Sequence, residues 1–450
     1  MAEEKKLPPF IYLDDKDKEK VDQHKVVEII LDKTYFFNTT KHLDGYFYNG
    51  QYWEQLKTRA VRDAFLKNFT SRLLKDYVTS KLLRDILELV LARSLDDNKA
   101  LNFEKRKSFA SFKNTAVDGE TMEFVPNSPK LYLLGGFDFE IKKGNCDKTK
   151  ALFESILGEN SPFMIEYVGS MFHRTYRPFQ YMVIIQGKAG SGKSYLAELI
   201  RNILGKEMTT SLSLEQISQD KFMTANLLGS YANIKSDLNN DFIPSFEVIN
   251  NLTGSDSLQV QFKGENSFAF VNHAKLLFTA NEAPAIKVNE GIRRRVKILN
   301  SKAPKHVTAK NEETDYSQYM EERSAFAYYA MHSYMKATER GEMSLTEDIR
   351  KTTDEWFVKG DDIENWVNEH FLSDNTSRPR SNWVYTKFQE YWEDMGLKNC
   401  PSSKMVMARL RELGYEVKKG SASIPNADDM NDSGQIAQRV FGIKYRNSFT

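Results

Sequence analysis

Cysteine is nearly absent from this chain of 450 residues: Cys146 and Cys400 stand alone. Two isolated thiols make neither a zinc-ligand pattern nor a disulfide framework, and they fit a reducing compartment. Long apolar runs are missing too. No stretch approaches the ~18 residues of a membrane span. The amino terminus, MAEEKKLPPF, is charged where a secretion signal would be apolar. A cytoplasmic location without membrane attachment is the expectation. Net charge is only +1, from 63 Lys+Arg against 62 Asp+Glu. Any contact with nucleic acid must therefore be built locally and not from a basic surface overall. Internal repeats and long low-complexity tracts are also absent, which excludes a repeat array.

What is present is material for cores: 40% of residues are hydrophobic and 12% aromatic. A chain of this size holds about two to four domains. The first residues read as a charged, frayed tail. Residues 18–36 have helical apolar spacing. In GYFYNGQYWEQL, Asn49-Gly50 between alternating aromatic flanks predicts a hairpin. Two amphipathic helices over 55–68 and 70–95 follow. This aromatic-rich module reads first as packing and second as a docking or DNA-loading surface. Loops and strands are expected over 110–150 (FKNTAVD, KLYLLGGFDFEIKKG). From 180 to 300, β-rich apolar runs alternate with helices. YMVIIQG, LLGSYANIKSDL, AKLLFTANEAP and RRRVKILN predict strands of one parallel sheet, with a helix over 193–204. A polar loop over 301–315, a helix over 318–340 and a polar break near 340–360 complete this region.

The densest chemistry is Gly187-Lys188-Ala189-Gly190-Ser191-Gly192-Lys193-Ser194, which satisfies G-x-x-x-x-G-K-[ST] in full. A phosphate chain has to be wrapped closely by backbone N–H groups, and side chains at Gly187, Gly190 or Gly192 would obstruct that approach. The helix that follows presents its positive end to the anion. Lys193 supplies a point charge to the outer phosphates, and Ser194 a hydroxyl ligand for Mg²⁺. ATP is the expected nucleotide.

Hydrolysis needs a carboxylate at the end of a neighbouring strand to hold the metal–water shell. Asp237, closing the run GSYANIKSDL, is the first candidate; Asp241 is a second. Asn281, at the tip of the KLLFTAN strand, is placed to orient an attacking water, although an Asn before a proline is also ordinary turn chemistry. Arg293, Arg294 and Arg295 form a trio with no obvious acidic partners. One of them can act as an arginine finger on a neighbouring subunit's nucleotide; a solvated basic turn or a DNA contact is the other use. Between these motifs, Leu258–Phe262 and Ser267–Val271 alternate like two strands around a turn at Lys263-Gly264-Glu265-Asn266. In a ring, such lysine tips would face the channel and grip a single strand's phosphates.

In order, the glycine loop, the single-acid NIKSDL, TGSDS…FKG, KLLFTANEAP and GIRRRV resemble the motif set of the superfamily 3 helicases, of the phage, plasmid and poxvirus replicative type. The resemblance covers roughly 110–300 well and both ends weakly. It implies an α/β fold: an AAA+-like P-loop core with a parallel sheet, a mainly helical N-terminal domain and a C-terminal winged-helix-like domain. It also implies a homo-hexamer that moves 3′→5′ on single-stranded DNA with ATP and Mg²⁺. Carried over, Lys193 and Ser194 match the Walker A pair, Asp237 the Walker B acid, Asn281 the first sensor, Lys263 the pore-hairpin base, and Arg294 or Arg295 the finger. Many such helicases carry two adjacent Walker B acids; here Ser236 precedes Asp237. No primase is expected, because Asp14-Asp15 sit in a charged tail.

Downstream, DDIENWVNEHF, NWVYTKFQEYWEDMGL and SSKMVMARLRELGYEVKKG predict three helices, and QRVFGIKYRN a strand. Three helices and a hairpin suggest a winged helix with 402–414 as recognition helix. Lys404, Arg409 and Arg411 would be its basic contacts to duplex DNA, with Lys418, Lys419, Arg439, Lys444 and Arg446 on the wing. A helical cap that only packs is the alternative. The layout resembles self-loading initiator helicases such as those of staphylococcal pathogenicity islands, and implies origin recognition. The expected domains are 1–110, 111–165, 166–345 and 361–450. A AAA+ ATPase that remodels protein, or an initiator using ATP only for assembly, are the competing functions.

Overall fold

The computed structural model describes residues 7–40, 45–238, 246–254, 256–264, 266–284, 294–302, 315–359, 362–374, 376–395, 400–422, 426, 429 and 431–446. The chain divides into two units, residues 1–284 with 289–353, and residues 285–288 with 354–450.

The first unit begins with β1 (Ile11–Leu13) and β2 (Glu19–Val21), an antiparallel pair. Helix Gln23–Thr34 starts only where Asp22 accepts a hydrogen bond from the Lys25 amide, and stops at Tyr35, which is left-handed at φ 43°. The helix expected over 18–36 is therefore trimmed at both ends by a strand and a cap. β3 (Phe37–Asn38), β4 (Gly45–Tyr48) and β5 (Trp53–Leu56) form an antiparallel sheet in that order. Asn49-Gly50 does lie in the β4–β5 turn, but the turn holds four residues. Asn49 Oδ1 accepts from the amides of Gln51 and Tyr52 at 3.0 and 2.9 Å, so the Asn side chain builds the turn. Residues 55 and 56 are strand, and Thr58 caps the next helix, Arg59–Leu74. A second helix, Ser80–Arg93, is capped by Thr79. Their apolar faces close over Val26, Ile30, Leu66, Ile86 and Val90. β6 (Phe109–Ser111), β7 (Ala116–Asp118) and β8 (Phe124–Val125) form a small antiparallel sheet.

The rest of this unit is built on β9 (Met182–Gln186), β10 (Thr209–Thr210), β11 (Ala232–Lys235), the antiparallel ribbon β12 (Ser257–Val260) and β13 (Phe268–Val271), then β14 (Lys275–Ala280) and β15 (Val296–Asn300). Five of these make one parallel sheet in the order β10-β11-β14-β9-β15. Every residue of β14 is buried, as a strand covered on both faces requires. Full burial of each of Leu276, Leu277 and Phe278 contributes about 1.5–3 kcal/mol.

Helices Asp147–Leu157, Ser161–Ser170, Lys193–Leu204 and Arg323–Arg340 share the sheet's core. Ser161–Ser170 meets Arg323–Arg340 at Gly169, where a Cβ would stand 2.0 Å from the Ala330 carbonyl oxygen. The expected boundary between residues 165 and 166 thus falls inside a helix that belongs to the sheet. The polar break expected near 340–360 is largely a helix, Glu347–Lys359. Of the loop expected over 301–315, residues 303–314 lie outside the described residues.

The second unit contains helices Asp362–His370, Ser381–Asp394 and Ser403–Glu412, the last capped by Ser402. β16 (Phe371–Asp374), β17 (Glu416–Gly420) and β18 (Ala437–Tyr445) make an antiparallel sheet in the order β16-β18-β17. Trp366, Val384, Phe388, Val406, Leu410, Val440 and Ile443 form its core. β16 had no sequence signal, since FLSD is too short to alternate. Among the described residues, no helix is long and apolar enough to cross a membrane.

Candidate active site at the carboxyl edge of the sheet

Because the five strands are parallel, their carboxyl ends share one edge. β9 runs directly into the glycine loop, and helix Lys193–Leu204 starts at its far end. Gly187 has no room for a side chain: a Cβ would lie 2.1 Å from Ser301 Oγ, just beyond β15. Gly192 caps the helix at φ +84°, a conformation other residues adopt only with strain. The helix end thus remains open to an anion, with Ser194 exposed on its first turn and Ser191 buried beside it.

Lys193 is buried, and its ammonium folds back on the loop. It donates to the carbonyls of Gly187 and Lys188 at 2.6 and 2.9 Å and lies 3.4 Å from Ser191 Oγ. Burial draws its pKa below the usual lysine value, and the negative charge of Asp237 opposes that shift. Asp237 is exposed, two residues beyond β11, and stands at φ 57°. Its amide donates to Thr279 Oγ1 at 3.2 Å, and the next amide, of Leu238, to the Thr279 carbonyl at 2.8 Å. The turn that carries the carboxylate is thus pinned to β14.

Asn281 follows β14 and is exposed; its backbone carbonyl accepts from the Gly187 amide at 3.2 Å. That bond joins the Asn281 turn to the first glycine of the loop. Three further residues of this edge escaped the motif reading. Gln186 accepts from the Ala283 amide at 3.0 Å through Oε1 and donates to Asn300 Oδ1 at 3.0 Å through Nε2. Ser301 lies 2.6 Å from Ser191 Oγ and donates to the Gln186 carbonyl at 3.0 Å. Asn300 continues the network to Thr352 Oγ1 at 2.7 Å. The available signal was small: a glutamine and an asparagine, each the last residue of an otherwise buried strand.

The arginine trio separates. Arg294 is exposed. Arg295 is buried and donates to Asn250 Oδ1 at 2.8 Å, and burial lowers its pKa. Arg295 is thus directed into its own chain. Arg293, Asp241 and Glu265 lie outside the described residues. Lys263 is exposed at the tip of the β12–β13 ribbon. The first ribbon strand ends at Val260, earlier than expected, and Phe262 instead packs on Phe268 with ring centroids 5.4 Å apart.

In the second unit, the basic side chains also divide. Arg439 is fully buried; it forks onto Asp432 at 2.6 and 2.8 Å and donates to the carbonyls of Gly420, Arg378 and Gln435. This pairing, with backbone donors from Asn426 and Gly434, holds the Asp432 carboxyl well below the usual range. Arg409 pairs with Glu364 and Glu412, both at 3.1 Å. Both were expected on a DNA-facing surface; their tertiary neighbours make them braces. Lys418 pairs with Glu416. Lys404, Arg411, Lys419, Lys444 and Arg446 are exposed.

Comparison with known proteins gives three findings. A family model described as "Family of unknown function (DUF5906)" matches residues 185–295, from the end of β9 to the arginine trio. No curated protein matches the sequence. Solved structures of the NrS-1 C terminal region align with most of the chain. An apo A form is 11% identical, covering 93% of this chain and 98% of that one, at a TM-score of 0.49. An apo structure of residues 305–718 is 11% identical, covering 95% and 100%, also at 0.49.

Proposed function

We propose that this chain is an ATP-driven DNA helicase of the superfamily 3 type, acting as a homo-hexameric ring in replication and binding duplex origin DNA through its C-terminal unit. The observation that carries the reading is the meeting of the complete G-x-x-x-x-G-K-S loop, Asp237 and the Asn281 turn on one carboxyl edge of a parallel sheet. They meet around β9, where the strand order switches from one side to the other. Open α/β sheets bind ligands at such a point.

Each residue then has a task. The loop amides and the helix end receive the phosphates. Lys193 trades the loop carbonyls for phosphate oxygens, so its charge stays close to the transferred group. Asn281 orients the attacking water, and exposed Arg294 reaches a neighbouring subunit's nucleotide. Ser194 and Asp237 are two exposed oxygen donors. That set suits Mg²⁺, which takes few protein ligands and otherwise keeps phosphate and water. When bound, the ion neutralises charge on the phosphates. The Lys263 ribbon, joined directly to β14, grips the strand in the channel. A unit of three helices and a three-stranded antiparallel sheet fits the winged-helix type, with exposed Lys404, Arg411, Lys419 and Lys444 for backbone phosphates.

ATP turnover in the presence and absence of single-stranded DNA tests the site. Lys193→Ala should lose roughly 10²-fold or more in turnover, the scale for removing one charge-stabilising donor. Turnover at the wild-type rate in Lys193→Ala would end the nucleotide assignment.

A further inference from the structure

A cavity of about 380 Å³ lies in the amino-terminal module, between helix Gln23–Thr34, the β3–β5 sheet and the segment around Tyr132. Its size falls in the range of small-ligand sites, about 300–1,000 Å³. Its walls combine flat rings with cations. Trp53 and Tyr132 stack with centroids 5.6 Å apart and planes 5° from parallel. The Trp53 indole N–H is already bonded to the Pro129 carbonyl at 2.9 Å, so the ring is fixed. Tyr35 lines the cavity and is 53% exposed. Among the described residues, Arg93, Lys99 and Lys130 also line it, against a single lining acid, Asp96, which pairs with Lys99 at 3.5 Å. Arg93 Nη2 lies 2.8 Å from a histidine nitrogen, His24 Nδ1.

The backbone adds an independent observation. Six non-glycine residues have positive φ among the described residues, and two of them, Tyr35 at 43° and Tyr132 at 52°, line this one cavity. A third is Asp237 of the candidate active site. Left-handed backbone is strained for bulky aromatic residues, and such strain gathers at functional sites. Both tyrosines close helical segments in this way, one of twelve residues and one of three, where a glycine would be the relaxed choice.

We infer that this cavity is a second nucleic-acid site, which takes a base of a single strand against the exposed Tyr35 ring and the half-buried Tyr132 ring, the latter backed by buried Trp53, and the adjoining phosphates on Arg93, Lys99 and Lys130. Rings that accept any base face, rimmed by cations, are what sequence-tolerant single-strand binding uses. Three cations to one acid select an anionic ligand over an apolar peptide. The site shares with the proposed function only the premise that a strand is handled. It needs neither ATP nor the Lys263 ribbon.

The test measures anisotropy of a fluorescent oligothymidylate with the full chain, without nucleotide, alongside an oligouridylate and free thymidine monophosphate. Tyr35→Gly is the informative variant, since it removes a ring while relaxing the backbone. It should weaken oligonucleotide binding roughly tenfold, the scale of one lost base–aromatic stack, and leave thermal stability equal or higher. Lys99→Glu with Lys130→Glu should weaken binding further and flatten its salt dependence. Equal binding of both oligonucleotides supports a general single-strand site; a preference for one names its natural strand. Tyr35→Gly and the double charge reversal binding like wild type would overturn the inference, as would binding of the free monophosphate as tightly as the oligomers. Basal ATP turnover of Tyr35→Gly, measured without DNA in parallel, separates this outcome from failure of the helicase reading: it should match wild type, because no residue of the glycine loop, Asp237 or Asn281 lines this cavity.

Discussion

The carboxyl edge of the sheet and the C-terminal unit hold their cations in opposite ways. Lys193 is held by two neutral carbonyls of its own loop, and its positive charge remains available to an anion. Arg439 is held by a carboxylate that accepts both of its terminal nitrogens, so its charge is already cancelled. Arg295 against Arg294 adds a contrast of burial within two adjacent residues. One is tied to Asn250 indoors and the other is exposed. The lesson is that a basic residue becomes functional or structural according to its acceptor, and a carbonyl leaves open what a carboxylate closes.

The sharpest way to break this contrast is at the arginines beside β15. Arg294→Ala should lower ATP turnover by roughly 10³-fold if Arg294 is the finger. Mixing it with Lys193→Ala subunits should restore part of the activity, because each variant supplies what the other lacks at a shared site. Arg295→Ala should instead act within its own subunit, lowering stability and showing no such rescue. Rescue by Arg295→Ala and none by Arg294→Ala would reverse the assignment.

In the C-terminal unit the comparison is between a brace and a surface charge. Arg439→Ala leaves Asp432 buried and unpaired and should destabilise that unit by about 3–5 kcal/mol, read by chemical denaturation. Lys404→Ala should leave denaturation unchanged and reduce the salt slope of duplex binding by about 1. A stable Arg439→Ala protein with weakened DNA binding would return Arg439 to the wing.

The smallest expected effect concerns charges with neither role. Lys275 is buried at the start of β14 on the carbonyls of His173 and His273, and burial pulls its pKa down to about 7. His173 is drawn down to about 3 by burial and by Lys275. Both are bases with a folded pKa below the unfolded one, so the unfolded chain binds more protons in between. Stability should rise as pH climbs from about 7 toward 10.5, and fall as pH drops from 6.5 toward 3. Lys275→Met should flatten the alkaline limb of a melting-temperature profile; an unchanged slope would contradict this.

The same contrast explains what could be read in advance. The glycine loop, Asp237 and Asn281 were legible because the site is largely backbone, set by residues adjacent in sequence and by parallel strands whose ends must share an edge. Gln186, Asn300 and Ser301 were hidden because their partners come from other strands and a later helix. The roles of Arg409 and Arg439 were misread for that reason: Glu364 lies 45 positions from Arg409, and no periodicity encodes such a pairing. Helix limits slipped where a cap decided them, as at Asp22 and Thr58. β16 was missed because four residues carry too little pattern.

The central claim joins the two ends of β14: the nucleotide edge at its carboxyl end and the Lys263 ribbon before its start. Strand displacement from a duplex with a 3′ single-stranded tail, measured with ATP turnover in the same reaction, tests it most directly. The account predicts that wild type displaces the strand while Lys263→Ala keeps basal turnover and loses displacement. ATP turnover by the wild type with no displacement, or equal loss of both activities in Lys263→Ala, would contradict it.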